Sequence, residues 1–347
     1  MRIIKQNVGV DISKSTFDVR FVELYENHEV KYKQYKKFQN NIEGIKSFAN
    51  WCDKQLDINN KLHITMEATG VYYESLAYIM SEDDSYVIHV VLPNMAKKYF
   101  ESLSSKNKTD KIDAKNLGLL GVERDLRVFK PKSYIYIHLR KLNREKEQLI
   151  NERSGIKNQK HAEMHSKFPM QRIITRYNNR IKYIDKQVLA IEKDIIKLVS
   201  KDDYVSKKVD KIMTIPGVGF STIVGVIAET GGFETFTSIK QLTSYSGLDV
   251  RIMESGQWKG KSRISKKGNS HIRRLLYMPT LSSVKWSPKH KKKYDRINEG
   301  KTHKMTGVVA LQRSLLGLIY TLWKNDTEYD ENYQSNNKRK NDYLEAS

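Results

Sequence analysis

Val8-Gly9-Val10-Asp11-Ile12-Ser13-Lys14 is the stretch on which the reading of this chain turns. It is an apolar run with a carboxylate at its far end, the pattern of a buried strand that delivers one acid to the end of a sheet. A second run, Leu62 to Met66, ends in the same way on Glu67, within Met66-Glu67-Ala68-Thr69-Gly70. A third stretch, Lys108-Thr109-Asp110-Lys111-Ile112-Asp113-Ala114, sets two acids three residues apart, on one face of a helix that Thr109 can cap. Taken alone, Asp110 and Asp113 read as ordinary first-turn acids favoured by the helix dipole, and Glu67 as a surface acid. Together the four carboxylates read differently. Like charges gathered on one rigid scaffold call for a cation between them, and oxygen ligands suit Mg²⁺ or Mn²⁺. Such ions can clamp the attacking and leaving oxygens of a phosphodiester, so phosphoryl transfer on nucleic acid is the first expectation.

The elements around these acids agree with it. Residues 3–12, 16–24 and 30–38 read as strands, with Phe17, Val19 and Phe21 alternating and Tyr25-Glu26-Asn27-His28 as a turn. Residues 42–56 show helical spacing at Ile42, Ile45, Phe48 and Trp51 behind the cap Asn41. A strand over 62–66, a helix from Gly70 to Met80 and a strand over 86–92 ending at Pro93 follow. The order βββαβαβα, with acids after the first and fourth strands and on a late helix, is the ribonuclease H-like arrangement, expected here over residues 1–127.

Beyond it the chain changes character. Ile174, Tyr177, Ile181, Ile184, Val188, Ile191, Ile195 and Leu198 alternate spacings of three and four, which predicts a coiled-coil seam. The upstream stripe Leu139, Leu142, Leu149, Ile156 is interrupted by Lys146 and Arg153. Residues 128–205 are therefore expected to form a helical coiled-coil region, in which 139–200 is an antiparallel helical pair broken at Ser166-Lys167-Phe168-Pro169. The seam serves either as an internal stalk or, on the reading its clean pattern favours, as a dimerising coiled coil. Ile215-Pro216-Gly217-Val218-Gly219 is a helix-hairpin-helix pattern, in which Gly217 and Gly219 let backbone amides approach a phosphate. A mainly α-helical domain is expected over 206–324, and the polar segment 325–347 is expected to be disordered.

Charge is segregated along the chain. Residues 1–125 hold 18 Lys and Arg against 18 Asp and Glu, whereas the whole chain holds 62 against 40, so the net charge of +22 lies beyond residue 125. A neutral, acid-bearing module joined to a strongly basic one suits catalysis on nucleic acid, with a lysine-rich solvated surface as the bland alternative. Basic side chains gather at Arg251, Lys259, Lys261, Arg263, Lys266, Lys267, Arg273 and Arg274, interleaved with Ser, Gly and Trp258. One cysteine, Cys52, excludes a disulfide framework and a Cys-based zinc site, as suits a reducing cytoplasm. The run from Tyr86 to Pro93, read as the longest apolar one, is too short to cross a bilayer, so no membrane partner is expected.

These motifs, in this order from residue 8 to about residue 280, resemble the DEDD transposases of the insertion-sequence one-ten family, relatives of the Piv and MooV invertases and also called bridge recombinases. Val-Gly-Val-Asp11-Ile-Ser-Lys, Met-Glu67-Ala-Thr-Gly-Val-Tyr and Lys-Thr-Asp110-Lys-Ile-Asp113-Ala-Lys carry the N-terminal likeness. Ile215 to Gly219, Phe236 to Leu248, Ser255-Gly256 and Ile264 to Leu276 carry the C-terminal one. One departure is visible: Met80-Ser-Glu-Asp-Asp-Ser-Tyr lacks the glycine usual before the fifth strand. The resemblance implies a RuvC-like N-terminal domain, a coiled-coil middle and a C-terminal transposase domain with a nucleophilic serine. It implies Mg²⁺ or Mn²⁺ held by Asp11, Glu67, Asp110 and Asp113, and a serine that attacks the phosphodiester to form a phosphoserine link. It further implies donor and target DNA, a structured noncoding guide (bridge) RNA, and a homo-oligomer, a dimer that becomes a tetramer on DNA. The family's Ser-Gly step falls on Ser255, beside Arg251 and Lys259, and Ser265 in the basic motif Ile264-Ser-Lys-Lys-Gly-Asn269 is its rival.

Other functions stay open on the residues alone. A metal-dependent structure-specific nuclease or junction resolvase needs only the four acids, and the large basic domain with Ser255 speaks against it. A sugar-kinase or actin-like ATPase accounts for Val-Gly-Val-Asp-Ile-Ser but calls for a second glycine-rich phosphate loop, which the sequence lacks. A non-catalytic architectural or RNA-binding protein accounts for the charge and leaves the acid spacing to chance.

Overall fold

In the computed structural model, which describes residues 2–56, 61–103, 109–251, 254–255, 258–260 and 263–333, the chain divides into two units, Met1–Pro131 and Lys132–Ser347. The first is built on five strands and four helices among the described residues: β1 (Ile3–Ile12), β2 (Thr16–Tyr25), β3 (Val30–Gln39), α1 (Ile42–Asp53), β4 (Leu62–Glu67), α2 (Glu74–Met80), β5 (Tyr86–Val91), α3 (Pro93–Ser102) and α4 (Asp110–Glu123). Tight turns make β1, β2 and β3 an antiparallel meander, and the two helical crossovers make β4 and β5 parallel to β1, in the order β3-β2-β1-β4-β5. The mixed sheet and its flanking helices are consistent with a ribonuclease H-like domain.

Alternation along β1 sorts its residues onto two faces. Val8, Val10 and Ile12 face a core with Ile45, Phe48 and Trp51 of α1 and Leu76 and Ala77 of α2. Asn7, Gly9 and Asp11 face α4. Gly9 lets that helix lie directly on β1, because a Cβ there would come within 2.1 Å of the Ala114 carbonyl oxygen and the Gly118 nitrogen. Two details differ from the sequence reading. The helix expected from Gly70 begins at Glu74, since Gly70 sits at φ +58° and opens a turn. Pro93 ends β5 and also starts α3, a helix the sequence reading passed over; its fixed φ and missing N–H suit the first turn. The loop that lacks the usual glycine closes through an Asx turn, with Ser85 N donating to Asp83 Oδ1 at 2.8 Å.

The second unit holds α5 (Tyr134–Met164), α6 (Gln171–Ser200), α7 (Asp203–Met213), α8 (Phe220–Thr230), α9 (Ile239–Tyr245), the two-residue strands β6 (Val250–Arg251), β7 (Glu254–Ser255), β8 (Trp258–Lys259) and β9 (Arg263–Ile264), then α10 (Ser270–Trp286), α11 (Pro288–Asn298) and α12 (Met305–Asn325). The ion pairs Lys146–Glu192 at 3.7 Å, Glu152–Arg180 at 3.7 Å and Arg153–Asp185 at 2.5 Å tie α5 to α6 in antiparallel order. The two cations that interrupt the α5 stripe thus meet acids of α6. The α6 seam from Ile184 to Val199 is buried, Ile184 and Val188 against Ile156 and the rest among Ile135, Tyr136 and Leu139. That covers much of it from within the chain.

Apolar α8 forms the centre of the second core, surrounded by residues of α7, α10 and α12. α12 corrects the sequence reading of the longest apolar run, being 21 residues long and apolar enough to cross a membrane by length and composition. Leu311, Leu315, Leu316 and Ile319 on it are fully buried in the core, as in the central helix of a globular domain. The segment expected to be disordered begins in contact with the domain: Asp326 pairs with Lys211 at 3.0 Å, Tyr329 N donates to Thr214 Oγ1 at 2.9 Å, and Lys289 Nζ donates to the Glu331 carbonyl at 3.1 Å. Its residues 334–347 lie outside the described residues.

Candidate active site and nucleic-acid interface

Asp11 is the penultimate residue of β1 and Glu67 the last of β4. Both stand one residue beyond the paired Val10 and Met66, on parallel neighbours about 4.8 Å apart. Thr109 caps α4, its hydroxyl accepting from Ile112 N at 3.3 Å, and so fixes Asp110 and Asp113 in the first turn. The close seat of α4 on Gly9 carries that turn to the same end of β1. The electrostatics of Asp11 reflect this arrangement. Burial first, then the charges of Asp113, Asp110, Glu67 and Asp18, push its carboxyl up to about 6. Asp18 escaped the sequence reading. It lies directly across from Asp11 on β2, an alignment only the hairpin register reveals, and is held by the Tyr35 hydroxyl and by Lys37 at 3.2 Å.

The donor set is all carboxylate oxygen, the chemistry that Mg²⁺ or Mn²⁺ takes. Among the described residues no three His, Cys, Asp or Glu side chains stand at metal-ligand spacing. The acids are electrostatic neighbours without forming a closed shell.

The basic residues belong to the second unit and fall into three groups. Arg251 and Arg263 are directly paired on β6 and β9, both exposed; two facing guanidinium groups repel unless an anion joins them. Lys266 and Lys267 are also exposed, Lys266 in the left-handed region at φ 51°. Arg273 and Arg274 are bonded to groups of the protein itself, Arg274 at the surface. Arg273 donates to the Ser246 carbonyl at 2.8 Å, while Arg274 donates to Glu147 at 2.9 Å and Asn151 at 2.5 Å. Lys259 lies opposite Glu254 on β8, and Lys261 lies outside the described residues.

The two glycines of the α7–α8 turn have different surroundings. Gly217, at φ +82°, packs against α10, where a Cβ would come within 2.6 Å of Ser283 N, whereas Gly219 faces open space at the start of α8. Ser255 is exposed on β7, and its neighbours Gly256 and Gln257 lie outside the described residues. The Ser265 hydroxyl donates to Asp249 Oδ1 at 2.5 Å.

A network that the sequence did not disclose holds this region to α5. Buried Glu229 accepts from Arg144 at 2.8 and 2.9 Å and from Asn269 at 2.6 Å. Burial works to raise the Glu229 carboxyl, but these donors outweigh it and hold it below its ordinary value. Asn269 also caps α10, which joins Arg144 to the end of the basic motif Ile264–Asn269.

Residues 8–169 match the DEDD transposase family model, and residues 209–295 match the transposase family IS116/IS110/IS902. The pilin gene-inverting protein of Moraxella bovis is 29% identical over 334 residues, covering 94% of this chain and 98% of the relative. The transposase for insertion sequence element IS1328 of Yersinia enterocolitica is 22% identical over 296 residues, covering 78% and 81%. With both family matches falling on the acid-bearing and the basic parts in turn, the chain belongs to the IS110 family of transposases, enzymes that act on DNA in recombination.

Proposed function

We propose that this transposase cuts and rejoins donor and target DNA by attack of Ser255 on a phosphodiester, with Asp11, Glu67, Asp110 and Asp113 as the ligands of Mg²⁺ or Mn²⁺. The observation that carries the reading is the set of four acids at one end of the sheet, Asp11 and Glu67 on neighbouring strand ends and the α4 pair seated beside them through Gly9. When bound, the metal supplies Lewis-acid polarisation of the phosphoryl oxygens. The Ser255 oxygen forms a bond to phosphorus, the bond from phosphorus to one strand oxygen breaks, and the serine's proton ends on that departing oxygen. The phosphoserine link keeps the bond energy for rejoining, so no nucleotide cofactor is needed. Exposure of Ser255 supports its role; Ser265 stays the rival, because its hydroxyl donates to Asp249 Oδ1, a carboxylate placed to take its proton.

The α7–α8 hairpin, with Gly219 open at the start of α8, and the facing Arg251 and Arg263 serve phosphate contacts in this reading. A structured guide RNA chooses the DNA, and the protein assembles as a dimer that becomes a tetramer on DNA, in the cytoplasm. The relative named for inverting a pilin gene supports inversion as well as transposition. Labelled DNA run on a denaturing gel tests the chemistry. Wild type should give a protein-shifted band that Ser255→Ala loses with little change in DNA affinity. A band lost only in Ser265→Ala moves the role to Ser265, and free-ended products with no band at all indicate hydrolysis by the four acids.

A further inference from the structure

A strongly positive stretch outside the motifs above lies where α10 meets α11. Residues 285–304 hold eight Lys and Arg against two acids, Asp295 and Glu299. On α11, Lys289, Lys292 and Arg296 are spaced three and four apart, so they form one exposed ridge. Among the described residues neither Lys292 nor Arg296 has a carboxylate within ion-pair distance, and Lys289 meets only a backbone carbonyl. The crowding of cations registers on the inner side of the helix. Burial and then Arg296 and Arg313 depress the Lys293 ammonium, and burial and then Lys293 and Lys289 depress the His290 ring.

Trp286 stands at the head of this ridge. It is the last residue of α10 and is 65% exposed, which is unusual for the largest apolar side chain. Lys285 lies over its ring at 5.1 Å. Only Ser287 and Pro288 separate it from Lys289, so their Cα atoms are within about 11 Å of each other. An exposed indole beside a row of cations is the combination that binds an unpaired strand: the ring stacks on a base while the cations take successive phosphates. A duplex buries its base faces and can use only the cations.

We propose that Trp286, with Lys289, Lys292 and Arg296, forms a binding site for single-stranded DNA, the species that strand exchange exposes. The inference rests on the reading of this protein as a DNA recombinase and adds to it a place where an unpaired segment is held.

Fluorescence anisotropy of the full chain with a labelled oligo-dT and a duplex of equal length tests it. Trp286→Ala should weaken single-strand binding by roughly 5- to 150-fold, as loss of one stacked base does, and leave duplex binding within about twofold. Trp286→Phe should restore most of the single-strand affinity, which a merely structural role for the indole would not predict. Lys292→Ala with Arg296→Ala should lower the slope of log affinity against log salt on the single strand by about 1.4. Equal losses on strand and duplex, or no loss on either, would overturn the site. Affinity for oligo-rU that exceeds oligo-dT and falls in Trp286→Ala would overturn the assignment to DNA. Asp11→Asn should bind oligo-dT as wild type does, so failure of the proposed cleavage chemistry and failure of this site appear in separate measurements.

Discussion

Asp11 carries a heavy electrostatic burden, because burial and four neighbouring carboxylates all oppose its ionisation. With a folded value of about 6 against 3.8, its charge destabilises the fold at pH 7 when no cation is present. Asp11→Asn should therefore raise the urea midpoint in EDTA, with an unfolding free energy higher by about 1–2 kcal/mol after allowance for solvent screening, while abolishing strand cleavage. A lowered midpoint would mean that Asp11 is held by favourable contacts instead. A second titrating device lies further along the same sheet. His63 Nδ1 and His89 Nε2 are 2.8 Å apart on β4 and β5, and His89 Nδ1 is bonded to the Arg127 carbonyl at 3.0 Å, an acceptor that fixes a proton there. Burial, then Lys5 and His89, push His63 down to about 4 from 6.5. A histidine with a depressed folded value binds more protons when unfolded. Its stabilisation is thus complete above about pH 6.5 and is lost as pH falls toward 4. Urea midpoints measured across that window should fall with acid in wild type and fall less in His63→Gln.

At the scale of elements, the placement of α4 decides whether the acids meet. Its first turn reaches Asp11 only because Gly9 and Gly118 leave no side chains between helix and strand, and Asn7 Nδ2 then donates to the Gly118 carbonyl at 2.9 Å. Gly9→Ala places a methyl within 2.1 Å of backbone atoms that cannot give way without moving the helix. It should cost about 2–3 kcal/mol by overpacking and remove cleavage, with duplex DNA binding by the basic unit kept. Unchanged cleavage in that variant would show that the seat of α4 does not govern the acids. In the second unit the α5–α6 pair illustrates a complementary point. Its seam is mostly satisfied within the chain, and Lys146 and Arg153 serve as cross-helix partners.

For the whole molecule, the division of charge follows the division into units: the first, which bears the four acids, is nearly neutral, and the second carries almost all of the positive charge, as suits the phosphate contacts proposed for it. Assembly is the property this division leaves open. Since α5 covers much of the α6 seam, the surface for a second protomer is better sought on the outside of α6, where Leu189 and Ile196, seven residues apart, are 59% and 53% exposed. Leu189→Lys with Ile196→Lys should lower the mass seen by light scattering and reduce recombination while leaving the circular dichroism of the monomer unchanged. An unaltered mass would place the oligomer contact elsewhere.

By itself the sequence determined what depends on neighbours within a few residues. Alternation in Val8 to Ile12, the caps Asn41 and Thr109, the three–four spacing of Ile184 to Ile195 and the run of acids are all local patterns, and each corresponds to an element in the structure. The four acids were legible as candidates for the same reason. What local patterns cannot encode is which distant residues face one another. Asp18 stands opposite Asp11 because of the hairpin register, Gly9 matters because a helix one hundred residues later lies on it, and Arg274 meets Glu147 across 127 positions. The same limit explains α12, whose composition fits a bilayer and whose burial fits a core. Only the tertiary packing says which apolar surface covers it, because burial is a property of the assembled neighbours and not of the segment.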